Sequence, residues 1–301
     1  MNAQRITLDP TRQRWWHGPI DLIVQAEGDA EVIEAAHARA WNEFGGLLAN
    51  LVPELSRLRQ AVQADAPNPC RGEVARLMWQ ACQPLAARPE RPFITPMAAV
   101  AGSVAQHLLR HYALPGIRRA SINNGGDMAL HVSPGQHWRL GVVSDIRRVR
   151  GDRESGLEPD AWLDIGFDMP VRGVATSGWA GRSFSMGIAD SVTVLAATAA
   201  QADAAASLIA NEVNVEHPGI VRQPACEVRD DSDLGSRWVT RHVPVLPLGQ
   251  IRTALQRGLA YAQTLTQAGL IEAAWLVCQQ QSVACGRELG LPQVQLGVPS
   301  P

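Results

Sequence analysis

Lysine is absent from this 301-residue chain, so all 27 of its basic residues are arginine. That absence excludes a Schiff-base lysine and a phosphate-loop lysine, and leaves arginine to do any cationic work. Cysteine is sparse: Cys70, Cys82, Cys226, Cys278 and Cys285 are odd in number and show no C-x-x-C spacing. They fit reduced thiols of a cytoplasm better than a disulfide framework, and read as small buried hydrophobes. No run approaches the roughly eighteen apolar residues of a membrane helix, and MNAQRITLDPTRQRWW at the start has no apolar signal region. A cytoplasmic protein with no membrane partner is expected. A net charge of −2 gives no footprint for nucleic acid. The small cluster Arg147, Arg148 and Arg150 reads as a solvated strand end. Tyrosine and phenylalanine are few, two and four, against nine tryptophans. Trp15 and Trp16 read as covering a helix end. With 46% hydrophobic residues the chain can bury a sizeable core, in one large domain or two ordinary ones.

The most organised stretch runs from Val171 to Asn211. Val171 to Ala175 and the alternation of Val192, Val194 and Ala196 read as strands. Between them Thr176, Ser177, Gly178, Gly181, Arg182, Ser183, Ser185 and Gly187 offer hydroxyls, close backbone approach and one guanidinium, an inventory that suits a phosphate or a polar ring. An ordinary Gly/Ser hairpin connection accounts for the same letters. Thr198 with Gln201 has the form of a capping box and predicts a helix from about Ala199. Asp203 and Ser207 then share one face of that helix. Taken alone, Asp203 reads as a first-turn acid complementing the helix dipole.

Before this unit, Ile20 to Val24 reads as a strand and 29 to 44 as a helix with Ile33, Ala36, Ala40 and Phe44 on its buried face. A helical pattern continues through Leu51, Leu55 and Leu58, and another around Val74 to Ala81 is expected to end before Pro84. Met97 to Tyr112 is a predicted helix capped by Thr95, with Pro96 at its first position. His107 and His111 lie four apart on it, but no helical Glu accompanies them and no third His or Cys is near in sequence, which argues against zinc. Met128 to Val132 and Trp138 to Val143 read as strands joined by a hairpin turn at 133 to 136, and Leu163 to Phe167 as another. The stretch 151 to 161 reads as a polar loop. Residues 224 to 237 are turn-like, Trp238 to Val245 a strand, Leu248 to Leu265 a helix, and Ala273 to Cys278 a closing strand. The sum is an α+β protein with long helices on sheets made mostly of hairpins.

A second small motif is Asn123-Asn124-Gly125-Gly126-Asp127. Paired glycines let a backbone approach a ligand or take positive φ, and Asp127 can hydrogen-bond a ring nitrogen or hydroxyl. A plain hairpin turn explains the letters equally well. The motif is no Rossmann fingerprint, because no G-x-G-x-x-G opens a helix there.

The succession G-S-V-A-Q-H at 102 to 107, N-N-G-G-D at 123 to 127, A-T-S-G at 175 to 178, S-V-T-V at 191 to 194 and A-D-A-A-A-S at 202 to 207 resembles the ApbE-like superfamily, whose characterised members are magnesium-dependent flavin transferases moving FMN from FAD to a threonine or serine of a target protein. The resemblance implies a single ApbE-like domain over 1–301. Its core motifs fall at about 90–215, and 216–301 completes a second sheet and its helix. Two intertwined T-fold-like units of antiparallel sheet, with helices packed on one side, are implied. So is Mg²⁺ held by the Ala105 carbonyl, Asp203 and Ser207, an oxygen set that suits that ion. The implied ligand pocket draws on Asn123, Gly125, Gly126, Asp127, Ala175, Thr176, Ser177, Gly178, Arg182, Ser183 and Asp190. Three departures stand out. Gln106 and His107 replace the family's Lys-Gly, S-F-S-M-G-I-A-D stands where transferases carry H-I-I-D-P-x-T-G, and no lipoprotein cysteine is seen. R-S-F-S-x-G-I-A-D at 182 to 190 and D-S-D-L-G at 231 to 235 are more similar to an uncharacterised cytoplasmic branch. Three readings stay open: a protein binding a flavin- or pterin-like phosphate-bearing heteroaromatic with a divalent metal, a true FAD:protein FMN transferase with a rearranged loop, and a non-catalytic partner in cofactor assembly. A homo-oligomer or a protein partner is compatible with each.

Overall fold

The computed structural model describes residues 2–90, 92–145 and 159–286. The expected strand end at Arg147 to Arg150 lies outside these residues, as does nearly all of the polar loop at 151 to 161. The architecture is α+β with antiparallel strand pairing, in two compact units: Met1–Trp138, Asp164–Ala175 and Leu195–Ala204 form the first, and Arg139–Leu163, Thr176–Val194 and Ala205–Pro301 the second.

In the first unit, β1 (Gln4–Asp9), β2 (Arg12–His17), β3 (Ile20–Gly28), β4 (Ile117–Asn124), β5 (Asp127–Val132) and the start of β8 (Gly173–Ser177) lie side by side in that order. Strands β1 and β2 escape the sequence reading because β1 is short and exposed along almost its whole length, its alternating Ile6 and Leu8 included, so it marks no buried face. Trp15 on β2 does not cover a helix end. It is fully buried, 5.3 Å from the Trp41 ring and 5.9 Å from the Phe44 ring, in the middle of α1 (Ala30–Leu51). Ala36, Ala40, Phe44, Leu47 and Leu51 recur every three or four residues and form the buried face of α1. A short helix α2 (Leu55–Leu58) follows. Buried Glu54 then accepts from the amides of Arg71 (3.0 Å) and Gly72 (2.5 Å), which satisfies the start of α3 (Glu73–Ala86). Pro84 lies inside α3 instead of beyond it. Near a C-terminus proline forfeits one backbone bond, and the buried Leu85 and Ala86 offset that loss.

The predicted helix over Met97 to Tyr112 is α4 (Val100–Leu109) flanked by 3₁₀ turns at Pro96–Ala99 and Arg110–Tyr112. Thr95 makes no side-chain cap. Helix α4 packs against β4 and β5, with α3 and α1 beside it. The turn at 133 to 136 forms, with Gln136 donating to Ser133 at 3.0 Å, but it does not join paired strands. Strand β5 pairs with β4 and β8, while β6 (His137–Val142) pairs with β7 (Ala161–Gly166) in a ribbon of its own.

In the second unit, β12 (Ala273–Cys278) and β13 (Gln281–Gly286) form a hairpin covered by α7 (Leu248–Gln267), and β9 (Ser191–Ala196) neighbours β12. All six residues of β9 are buried, so the apparent alternation there marks no solvent face. The β12–β13 turn uses Gln279 and Gln280 at φ 45 and 66, uncommon for residues with a Cβ. The Gln279 side chain compensates by donating to Pro244 O (2.6 Å) and accepting from Leu246 N (2.9 Å). Strands β10 (Val221–Pro224) and β11 (Trp238–His242) make a small separate ribbon, with a short helix α6 (Ala225–Val228) following β10. The chain passes between units within β8, β9 and α5 (Ala199–Glu212).

Candidate functional site

The first turns of α4 and α5 meet because Gly102 lacks a side chain. A Cβ on it would lie 2.3 Å from Ala199 O and 2.9 Å from Asp203 Cβ. Half of the predicted capping box forms: Gln201 N donates to Thr198 Oγ1 (3.3 Å), the Gln201 side chain accepts from the Thr198 hydroxyl (3.1 Å), and α5 starts at Ala199. Gln106, at the position where the resemblance leads one to expect lysine, accepts from Ala200 N at 3.2 Å. A neutral amide here helps hold the start of α5.

Asp203 lies beyond the first turn of its own helix, and its carboxylate serves a different one. Oδ2 accepts from Gly102 N (2.9 Å), and Ala101 N also donates to the carboxylate, at the positive end of α4. Those bonds favour the charged form. They are outweighed by burial, and after it by the negative charge of Asp127, so the Asp203 carboxyl is held well above the usual carboxylate range. Asp127 arrives on the β4–β5 hairpin. Asn124 and Asp127 are its last pair, and Gly125 and Gly126 between them take φ 69 and 117, the geometry of a two-residue turn that favours glycine. Asn123 Oδ1 accepts from Gly126 N (2.8 Å), while buried Asn124 donates to Ala101 O (3.2 Å) and ties the hairpin to α4. Both glycines are exposed, and a Cβ on Gly126 would meet nothing within 4 Å. The structure therefore brings Asp127, Asp203 and the α4 amides together in the first unit. Ala105 is fully buried further along α4, and Ser207, half-buried, lies one turn beyond Asp203 on α5.

The remaining predicted residues lie around β8, β9 and the loop joining them. Ala175 is fully buried in β8. In the second unit, Thr176 Oγ1 and Thr193 Oγ1 are 2.9 Å apart and Ser177 is half-buried. Gly178 sits where a Cβ would be 2.3 Å from Asp190 O. Buried Asp190 accepts from Gln279 N (2.5 Å) and Trp179 Nε1 (3.3 Å), so it helps fix the loop and the β12–β13 turn. Arg182 and Ser183 are exposed.

A family model described as "AbpE bacteria" matches residues 4–286. The chain belongs to this family. Among curated relatives of this AbpE chain, a UPF0280 protein of Methanothermobacter thermautotrophicus is 37% identical over 139 residues, 46% of this chain and 50% of that one. A second UPF0280 protein, from Methanopyrus kandleri, is 37% identical over 161 residues, 53% of this chain and 57% of the other. The chain spans about half the length of these curated relatives. Among solved structures, the apo flavinyl transferase ApbE of Pseudomonas stutzeri aligns with a TM-score of 0.49 at 13% identity, covering 96% of this chain and 95% of that one.

Proposed function

We propose that this AbpE-family chain binds a divalent cation at Asp203 and Asp127, and with it a phosphate-bearing flavin- or pterin-like heteroaromatic. The observation that carries the reading is the meeting of the β4–β5 hairpin and Asp203 at the first turn of α4, where Asn124 donates to Ala101 O, Gly102 N donates to Asp203, and the negative charge of Asp127 acts on the Asp203 carboxyl. Like charges so placed repel, and a cation held between them reverses the penalty of burying either. The donors are all oxygen, a set that suits Mg²⁺, and the resemblance adds the Ala105 carbonyl and the Ser207 hydroxyl. When bound, such an ion neutralises charge on phosphate oxygens.

The chain's own residues fix that arrangement. Gly102 N and Ala101 N hold the Asp203 carboxylate in place. Asn124 and the Gly125-Gly126 turn set the direction from which Asp127 approaches. Turnover by FMN transfer is the extension of this reading, and a target protein acquiring covalent flavin in the presence of FAD and Mg²⁺ would establish it.

The test is a thermal-shift panel of FAD, FMN and pterins with and without Mg²⁺. A ligand at a hundred times its dissociation constant contributes about 2.7 kcal/mol, which at about 2–4 °C per kcal/mol is a rise of roughly 5 °C or more. The expected rise requires Mg²⁺ and disappears in Asp203→Asn. A panel without any shift overturns the proposal.

A further inference from the structure

The C-terminal half of α4 carries a second cluster, in which the sequence shows two histidines without partners and the structure supplies them. Glu43 of α1 accepts from His107 Nε2 (2.6 Å) and Arg110 Nη2 (2.6 Å) and pairs with His111 Nε2. Glu73, at the first position of α3, pairs with Arg110 and lies 3.7 Å from His107 Nδ1. One ligand atom each from Glu43, Glu73 and His107 falls within 4.8 Å of the others. The imidazole of His107 is buried, and Ser103, one turn earlier on the same face of α4, is fully buried with a hydroxyl that has no partner among the described residues. A cavity of about 730 Å³, lined in part by Glu43, Glu73 and His107, gives solvent a path to the cluster.

From these observations we infer a transition-metal site, of the zinc class, on His107, Glu43 and Glu73. One imidazole and two carboxylates are a three-ligand set that leaves a position open to water or a small anion from the cavity. His111 is a positioning residue that holds the second oxygen of Glu43. Arg110 occupies the cation's place in the metal-free form: its guanidinium pairs with both carboxylates, and with a side chain 46% exposed it can leave toward solvent when a metal arrives. The site is separate from the oxygen-only pair at Asp203 and Asp127, and the inference does not depend on the function proposed there.

The test is a titration of the full chain with Co²⁺, whose visible absorption reports imidazole ligation and geometry, backed by competition with Zn²⁺. One equivalent should bind with a d–d spectrum that Zn²⁺ abolishes. Glu73→Gln, on the exposed side of the cluster, should weaken binding at least tenfold with little change in melting temperature. Arg110→Gln should tighten it, because the competing cation is gone, and Asp203→Asn should leave the spectrum unchanged. The inference is overturned by the lack of a Co²⁺ spectrum in the wild type, by an affinity insensitive to Glu73→Gln, or by weaker binding in Arg110→Gln.

Discussion

Helix α4 holds carboxylates at both ends, under opposite electrical conditions. At its C-terminal end Glu43 and Glu73 face Arg110 and two histidines. Burial alone would push Glu43 up, but hydrogen bonds from His111, His107 and Arg110, with the charge of His107, bring it below the ordinary range. Glu73 is lowered chiefly by its bond to Arg110. At the N-terminal end Asp203 has only two backbone amides to set against burial and the charge of Asp127, and it is raised. Carboxylates paired with their own cation carry a compensated charge, and a metal entering there must displace Arg110. Asp203, held by backbone amides beside a second negative charge, is stabilised by a proton or a bound cation, and that makes the N-terminal end a candidate for ligand-linked chemistry.

The comparison can be broken most severely at Gly102. Gly102→Ala would drive a methyl into Ala199 O, a backbone atom that cannot step aside, and push the helix starts apart. A loss of about 3 kcal/mol or more is expected, a fall of roughly 6–12 °C in melting temperature, together with loss of any metal response that depends on Asp203. Next in size is Glu43→Gln at the other end. It leaves Arg110 and the two imidazoles facing a neutral amide and should cost about 1–3 kcal/mol, read from urea unfolding at neutral pH, without touching the Asp203 site. Gly126→Ala comes third. At φ 117 it should cost roughly 1–2 kcal/mol through backbone strain alone, because nothing crowds the new methyl. A larger effect on Mg²⁺ binding than on melting temperature would show that the hairpin tip itself touches ligand. The smallest effect belongs to Thr198→Ala, which removes the cap of α5 and should cost about 1 kcal/mol.

What the sequence made legible divides along the same line. The α5 start could be read because Thr198 and Gln201 are three residues apart and their bond is local. The glycine turn before Asp127 was legible for the same reason. Asp203 could be singled out only through the family resemblance, since its partners at 101, 102 and 127 are distant in sequence, and the local reading of it as a dipole-complementing acid assigned it to the wrong helix. His107 and His111 show their spacing openly, but Glu43 and Glu73 arrive from α1 and α3, which no spacing rule reaches. Strands β1 and β2 were hidden because their partners, and not their own apolar pattern, define them.

The most direct measurement is the pH dependence of stability for the wild type and Asp203→Asn, each with and without Mg²⁺. Because the folded-state pKa of Asp203 is raised above the model-peptide value of 3.8, the folded protein holds this proton more tightly than the unfolded chain. Its contribution is fully present below that value and is lost as pH rises through the folded pKa, so the metal-free wild type should lose stability relative to the Asn variant toward neutral pH. Mg²⁺ should restore the wild type there and do nothing for the variant. Parallel curves for the two proteins, unmoved by Mg²⁺, would contradict a cation site built on Asp203 and Asp127.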